Sequence, residues 1–318
     1  MNDWRLSMGK KVVFLGSWHK VIFMQGERIP GKGETVSGDS YFVTAGGKGG
    51  NQACACGLLG GNAVLIQNLG DDVTGREALK IFKNCKVNTQ YTKLIMGEST
   101  GLAPIMLDKN GENAIMVIPG AHGNYKTSDI DDAEDAFKDA YMACFVLESN
   151  LDATFYAIRK AHSMGVKVFL DPAPVTPLPD DIYKCLTWIK PNEHEATLLS
   201  GINVVDFETA KKAARWFMTK GVKNVLITLG GEGSILVTPE ITKTFPAPKV
   251  KVVDTTTAGD IFAGTFLFAL AEDMSLEDSV ILATCAGSLA VTRSGAIESA
   301  AQYDELIKFF KEFKVTLR

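Results

Sequence analysis

Short runs of apolar residues alternate along most of the chain with longer segments whose apolar residues recur at helical spacing. The short runs predict buried strands, at residues 12–16, 63–69, 142–147, 166–170 and 225–229. The longer segments predict helices, at residues 49–59, 72–83, 153–164, 207–220, 258–271, 276–292 and 303–313. This alternation predicts an α/β fold with a central, mainly parallel sheet between helices, because parallel strands need crossovers that cover both faces.

Two stretches, at residues 21–43 and 91–118, break this alternation with extended segments and turn glycines. Within the second stretch, residues 108–112 (DKNGE) are typical of a hairpin turn between two strands. We interpret the two stretches as a small β lid, formed by about residues 18–45 and 91–120, at one edge of the sheet. No linker or repeat interrupts the sequence, so residues 1–318 are expected to form a single domain.

The charge and cysteine content exclude several classes of partner. The chain has 33 basic and 37 acidic residues, a net charge of −4, whereas nucleic acid binding needs a concentrated basic face. The longest apolar stretches, such as residues 261–270, are too short to cross a bilayer. The six cysteines include no C-x-x-C pair. We therefore expect a cytoplasmic protein with inert thiols and no membrane partner.

The first glycine-rich segment is AGGKGGNQA at residues 45–53, which matches neither G-x-G-x-x-G nor the Walker motif. Four glycines around Lys48 and Asn51 favour close approach of the backbone to a small polar ligand. The alternative is a tight turn from a strand into a helix.

The second segment is VDTTTAGD at residues 253–260, which opens an apolar helix. Unpaired N–H groups at that helix start can bind an anion, and Asp260 in the first turn can act on a group bound there. The alternative is that Asp260 only caps the helix. Gly259 favours the ligand, because a simple cap does not need close backbone approach.

Two further segments follow predicted strands and carry polar groups. They are TLGGEG at residues 228–233, a glycine-rich turn, and PNEHE at residues 191–195. Asn192 and Glu195 have the spacing of a capping box, but they could equally position a metal-bound phosphate.

Other patterns can be set aside. Residues 97–101 (GESTG) match the nucleophile elbow of α/β-hydrolases, which must follow a strand and open a helix, but here a strand continues. The four histidines show no metal-ligand spacing.

Taken together and in this order, the segments resemble the ribokinase family of sugar and nucleoside kinases, from about residue 12 to residue 313. The resemblance rests on residues 46–53, 192–195, 227–233 and 254–260, with further similarity at 30–36, 97–101, 147–149, 172–174 and 290–296. It implies transfer of the γ-phosphoryl group of ATP to a primary hydroxyl of a sugar, with ribose the first expectation. It also implies a requirement for Mg²⁺, activation by K⁺, and a homodimer formed through the lid.

The resemblance also implies roles for individual residues. Catalysis would involve Asp260 as the base and Gly259, Ala258 and Thr257 as the anion hole. Sugar would be bound by His19, Gly47, Lys48, Gly49, Gly50, Asn51, Glu148 and Asp260. ATP would be bound by Asn192, Glu195, Thr228, Leu229, Gly230, Gly231, Glu232, Gly233, Gly259 and Thr284. Potassium would be bound by Asp254, Thr256, Ala290, Arg293, Gly295 and Ser299.

The sugar site departs from the family at two positions. His19 and Val21 stand where ribokinases carry an Asn and an Asp that holds two sugar hydroxyls. Valine cannot accept a hydrogen bond, so part of this contact must differ. The alternative acceptors are another pentose, a deoxysugar or a nucleoside. The alternative function is a weakly catalytic sensor that binds nucleotide and sugar.

Overall fold

The computed structural model describes residues 9–317, which contain a large sheet and a smaller one. The strands in chain order are β1 (Val12–Leu15), β2 (His19–Gln25), β3 (Ser40–Gly46), β4 (Ala63–Gly70), β5 (Asn88–Ile95), β6 (Gly101–Leu107), β7 (Asn113–Ile115), β8 (Met142–Phe145), β9 (Lys167–Leu170), β10 (Trp188–Ile189), β11 (Asn224–Thr228), β12 (Ser234–Val237) and β13 (Thr242–Phe245). The large sheet has the order β13-β12-β11-β10-β9-β8-β1-β4-β5, and the small sheet has the order β3-β2-β6-β7.

Neighbouring strands of the large sheet are parallel from β5 through to β11, whereas β12 is antiparallel to both of its neighbours, β11 and β13. The expected mainly parallel sheet is confirmed. Its central strands are buried on both faces, which explains continuous apolar runs such as VVFL in β1 and MACF in β8. The two-residue β10 is too short to give such a run.

The helices are α1 (Lys48–Leu58), α2 (Val73–Asn84), α3 (Thr127–Asp132), α4 (Glu134–Phe137), α5 (Leu151–Ser163), α6 (Asp180–Cys185), α7 (Glu193–Ser200), α8 (Phe207–Thr219), α9 (Ala258–Ala271), α10 (Leu276–Ala290) and α11 (Tyr303–Thr316). Side chains at several N-termini satisfy the free backbone donors there. Asp72 accepts from the Gly75 N–H at the start of α2, and Asn150 accepts from the Ala153 N–H at the start of α5. The seven predicted helices are confirmed to within a few residues.

The sheet separates two hydrophobic cores, one on each face. Along β1, Val12 and Phe14 point into one core, whereas Val13 and Leu15 point into the other. The first core contains α9, in which 12 of 14 residues are buried, packed between α1 and α10. This burial fixes the N-terminus of α9 beside the N-terminus of α1.

The four-stranded small sheet contains the two segments expected to form a lid, and we refer to it as the lid. Strand β2 pairs with β3 and β6, and β7 closes a hairpin with β6 through the expected turn. The expected start of the second lid segment, at residue 91, is too early. Residues 91–95 belong to β5, at the edge of the large sheet. An edge strand is covered less completely, so β5 has a mixed pattern in place of a buried apolar run.

The remaining expectations concern single segments. Residues 97–100 form a loop that leads directly into β6, so GESTG does not open a helix and is not a nucleophile elbow. All six cysteines are unpaired, and five of them are buried. Among the described residues, no helix combines the length and apolar character needed to span a membrane.

Candidate active site

The N-termini of α1 and α9 meet at the carboxyl edge of the large sheet. The Asn51 side chain donates from Nδ2 to Asp260 Oδ2 at 2.9 Å, and Gln52 Nε2 lies 3.5 Å from Asp260 Oδ1. Asp260 is only 5% exposed. Two neighbouring amides of α1 therefore orient this carboxylate, although 209 residues separate Asn51 from it in sequence.

The glycines that precede Asn51 are required by packing. A Cβ on Gly47 would lie 2.3 Å from the Ser17 carbonyl oxygen, and one on Gly49 would lie 2.6 Å from the Leu15 oxygen. A Cβ on Gly50 would lie 2.5 Å from the Trp18 ring. The alternative of a tight strand-to-helix turn thus accounts for these glycines. The close packing also brings Lys48 and Asn51 to the carboxyl end of β1.

Lys48 and Glu148 add further polar groups near Asn51 and Asp260. Glu148 Oε2 accepts from the Lys48 backbone N–H at 2.7 Å and from Ser17 Oγ at 2.5 Å. The Asp260 carboxylate raises the pKa of the Lys48 ammonium above its usual value, and Glu148 adds to this effect. Lys48 therefore stays protonated at neutral pH, beside Asp260.

The loop before α9 has an unusual backbone conformation. Thr257 is the N-cap of α9 and has a φ of 61°, in the left-handed region that a β-branched residue rarely adopts. Its hydroxyl contacts the Thr256 and Ala296 carbonyl oxygens, at 2.6 and 3.1 Å. Ala258 and Gly259 then form the first turn, where backbone N–H groups lack the intrahelical acceptors found further along a helix.

A cavity of about 640 Å³ adjoins this first turn. Most of the residues expected to bind ATP line it, namely Asn192, Thr228, Gly230, Gly231, Gly233, Gly259 and Thr284. Three others do not. Leu229 is buried in the core, Glu232 is exposed and outside the cavity lining, and Glu195 pairs with Asn192 in a capping box.

That capping box is complete. The Glu195 N–H donates to Asn192 Oδ1 at 2.8 Å, and the Asn192 N–H donates to Glu195 Oε2 at 2.9 Å. Asn192 Nδ2 also donates to Glu195 Oε1 at 3.0 Å. Both side chains therefore stabilise the start of α7 directly, as the alternative interpretation required.

Several lining residues were missed by the motif search. Gly287, Ser288 and Val291 share a helix face with Thr284, at spacings of three, four and seven residues. That spacing is a signal from which they could have been found. The irregular segment at residues 247–250 offers no comparable signal.

Comparison with known proteins decides the family. The sequence profile of the pfkB family carbohydrate kinases matches residues 10–302. The chain belongs to this family. It is 32% identical over 304 residues to a ribokinase of Haemophilus influenzae, covering 96% of this chain and 99% of that protein. It is 36% identical over 300 residues to a ribokinase of Schizosaccharomyces pombe, covering 91% and 94%.

A solved structure of Arabidopsis thaliana ribokinase complexed with ribose and ATP superposes with a TM-score of 0.89. The two are 30% identical, and the match covers 96% of this chain and 99% of that one. The family expected from the sequence motifs is confirmed, and the protein is a carbohydrate kinase.

The six residues expected at a cation site of this kinase lie in two segments that the fold brings together. The Val253 N–H donates to the Val291 carbonyl oxygen at 2.7 Å, and Thr257 Oγ1 lies 3.4 Å from Ser299 Oγ. Ser299 is fully buried. Asp254 Oδ1 accepts from the Thr256 N–H at 2.8 Å, and the Arg293 guanidinium pairs with Glu305.

His19 lies at the base of the kinase lid and packs against a second histidine, His122. Their ring centroids are 4.5 Å apart, and the rings are nearly perpendicular. They are 6% and 1% exposed, and His19 Nε2 and both His122 nitrogens have no hydrogen-bond partner among the described residues. Val21 lies two residues along β2, on the same face as His19.

Burial lowers the pKa of both histidines, and the lowered pKa of His122 is about 3. His19, as a neighbouring base, lowers the pKa of His122 further. Both rings are therefore neutral in the folded protein at neutral pH.

We expect His122 to make stability depend on pH. The unfolded chain protonates this histidine near its ordinary value of 6.5, whereas the folded protein does so only near pH 3. The unfolded state then binds more protons as pH falls, so His122 lowers the free energy of unfolding by about 1 kcal/mol between pH 7 and 5.5. Urea denaturation of wild type and His122→Asn should show this fall in wild type and a smaller one in the variant. His162→Asn, which changes an exposed histidine of α5, should behave as wild type. An equal fall in all three proteins would contradict the assignment.

Proposed function

We propose that this carbohydrate kinase transfers the γ-phosphoryl group of ATP to the primary hydroxyl of ribose, giving ribose 5-phosphate and ADP. The observation that carries the proposal is the position of Asp260. It lies between the 640 Å³ cavity, which Gly259 lines, and the polar cluster of Lys48, Asn51 and Glu148. The relatives named ribokinases, and the ribokinase solved with ribose and ATP, support this acceptor and donor.

In the proposed reaction Asp260 is the general base. Its carboxylate takes the proton of the sugar hydroxyl while the hydroxyl oxygen forms a bond to the γ-phosphorus. The bond from that phosphorus to the bridging oxygen breaks, and ADP leaves. The Asn51 and Gln52 amides hold the carboxylate in place, and the fixed geometry supplies much of the rate enhancement.

The first turn of α9 would bind the phosphoryl oxygens. The backbone N–H groups of residues 257–259 lie at the N-terminus of α9, where the helix dipole favours negative charge. Because these donors are fixed before the reaction, they can stabilise the charge of the transferring group without reorganising.

The sugar would lie against Lys48, Asn51 and Glu148, with His19 and the 47–50 backbone around it. Asn51 Oδ1 is buried and has no hydrogen-bond partner within residues 9–317, so a sugar hydroxyl is a suitable donor for it. Val21 leaves an apolar edge at the position where the family carries an acidic contact.

ATP would occupy the cavity lined by Thr228, Gly230 and Thr284. No group of three or more metal-ligating side chains occurs among the described residues, which fits Mg²⁺ carried mainly by phosphate and water. Asn192 and Glu195 satisfy each other in the capping box, so they would approach the ion through its water shell. Mg²⁺ would neutralise charge on the phosphates when bound.

A potassium ion would lie between residues 254–256 and 290–299. The Asp254 carboxylate and carbonyl oxygens are ligands suited to such a hard cation, and the two segments already touch. The ion would order the loop that leads into α9, without touching the sugar.

A second copy of the chain would pack on the lid. The lid exposes Tyr41, Phe42, Val43, Ile115 and Met116, with Tyr41 73% and Met116 66% exposed. These residues lie on β3 and at the end of β7, the two edge strands of the small sheet. Exposed apolar edge strands favour an interface with another chain. The six unpaired cysteines support a cytoplasmic location for the dimer.

Replacing the base tests the reaction. We expect Asp260→Asn to lower kcat for ribose phosphorylation by about 10²–10⁴-fold, the usual effect of a positioned general base, with ADP affinity nearly unchanged. A coupled assay of ADP release and calorimetric titration of ADP measure the two effects. Asp152→Asn, in the first turn of α5, removes a similar carboxylate away from the site and should keep full activity. A fully active Asp260→Asn variant would exclude Asp260 as the base.

Changing the monovalent cation tests the potassium site. We expect faster turnover in potassium than in tetramethylammonium buffer of equal ionic strength, because the larger cation cannot enter a ring of carbonyls. Asp254→Asn should reduce this difference, since it removes the only carboxylate proposed for the site. Identical wild-type rates in the two buffers would refute the site.

Replacing exposed apolar residues of the lid with lysine tests the dimer. Sedimentation should give wild type twice the mass of one chain, and the double variant Tyr41→Lys/Met116→Lys the mass of one chain. Val205→Lys, at an exposed valine outside the lid, serves as the control and should remain dimeric. A monomeric wild type, or a dimeric double variant, would show that the lid is not the interface.

A further inference from the structure

A buried ion pair that the proposed reaction does not yet use lies beneath the first turn of α9. Lys190 directly follows β10 and Asp171 directly follows β9, which are adjacent parallel strands. Both therefore emerge at the carboxyl edge of the sheet. Lys190 Nζ lies 3.2 Å from Asp171 Oδ2, and each side chain is only 4% exposed.

Burying such a pair is costly, because desolvation of two charges can exceed their mutual attraction. Burial raises the pKa of Asp171 to about 6, even though Lys190 opposes this rise. Within residues 9–317, Asp171 is the one ion-pair partner of Lys190. An ammonium has three donors, so this contact leaves donor capacity for another acceptor.

The position of that ammonium indicates where the acceptor would lie. A Cβ built on Gly259 would be 3.7 Å from Lys190 Nζ. Gly259 lines the cavity, and the next residue is Asp260. The cation thus lies directly against the turn where the transferring phosphoryl group would pass.

A third side chain links the ion pair to the base. Gln52 Nε2 donates to Asp171 Oδ2 at 2.8 Å and lies 3.5 Å from Asp260 Oδ1. The Cys144 thiol donates to Gln52 Oε1 at 3.0 Å, which turns the amide nitrogen toward the two carboxylates. The ion pair and the base therefore share one donor and hold a fixed relative position.

We propose that Lys190 is a catalytic residue whose ammonium donates a hydrogen bond to an oxygen of the transferring phosphoryl group, and that Asp171 positions it. This inference rests on the proposed function. It gives the buried pair a ligand: the phosphoryl group brings negative charge next to a cation that a single carboxylate already orients. Lys190 and the backbone N–H groups at the start of α9 would both donate hydrogen bonds to the transferring phosphoryl group.

The first test compares turnover with ground-state binding. Lys190→Met should lower kcat by about 10²–10³-fold, as removal of one donor to a developing oxyanion does. KM for ribose and the Kd of ADP should change by less than about threefold. Lys212→Met, which removes an exposed lysine of α8, is the control and should match wild type.

A second readout does not depend on turnover. ADP with aluminium fluoride and ribose mimics the phosphoryl group during transfer, so Lys190→Met should weaken its binding by about the factor lost in kcat. Binding of ADP alone should be retained. Equal weakening of both ligands would overturn the proposal, because it would show that Lys190 only maintains the pocket.

A double variant separates catalysis from folding. Asp171→Asn/Lys190→Met removes both charges, so no buried charge is left unpaired, and its free energy of unfolding should exceed that of Lys190→Met. Turnover should stay low. Recovery of near wild-type turnover in the double variant would assign the pair a purely structural role and refute the proposal.

The wild-type assay distinguishes this inference from the proposed function. A wild type that does not phosphorylate ribose refutes the proposed function. An active wild type with an equally active Lys190→Met variant refutes only the role of Lys190.

Discussion

The close approach of α1 to β1 and to α9 is the constraint on which the whole site depends. A Cβ on Gly264 of α9 would lie 2.3 Å from the Gln52 carbonyl oxygen, and the glycines at the start of α1 are equally confined by β1. Larger residues would force these elements apart. The amides of Asn51 and Gln52 could then no longer reach Asp260, so backbone packing determines the position of the proposed base.

The second requirement is a balance of buried charge. Asp260 and Asp171 lie within one hydrogen-bonded network, together with Lys190, and Lys48 stays protonated beside Asp260. Carboxylates this close would raise each other's pKa if no cation were present. The protein therefore accommodates two carboxylates at the proposed reaction centre because two cations, the buried Lys190 and the half-buried Lys48, lie with them.

The fold could be predicted from sequence for the central strands and for the buried helix α9. Central strands such as β1 and β8 have continuous apolar runs, and α9 is apolar on nearly all sides. Strands at the edge of the sheet gave weaker patterns, so β5 was assigned to the lid and β13 was not predicted. Partial burial thus weakened the pattern at the edge strands. Burial alone was not sufficient either, since β12 was not predicted although all four of its residues are buried.

Within the site, motifs identified the residues that are close in sequence. Residues 257–260 form one segment, and Lys48 and Asn51 belong to another. The structure brings these two segments together through the hydrogen bond from Asn51 to Asp260. Lys190, Asp171 and His122 carry no motif, because only the packing of separate strands and loops places them here. Polar residues directly after buried strands were the available signal for Asp171 and Lys190.

The lid joins the body of the kinase along a single row of residues. His19 begins β2 and is paired with Gly46, which ends β3, and with Gly101, which begins β6. Lys48 follows Gly46 by two residues. The far end of the small sheet, near Gln25 and Leu107, lies six residues from this row, which is about 20 Å in an extended strand. The length of β2 and β6 therefore keeps the exposed end of the sheet away from Lys48, so a substitution there changes the outer surface without contacting the proposed sugar site.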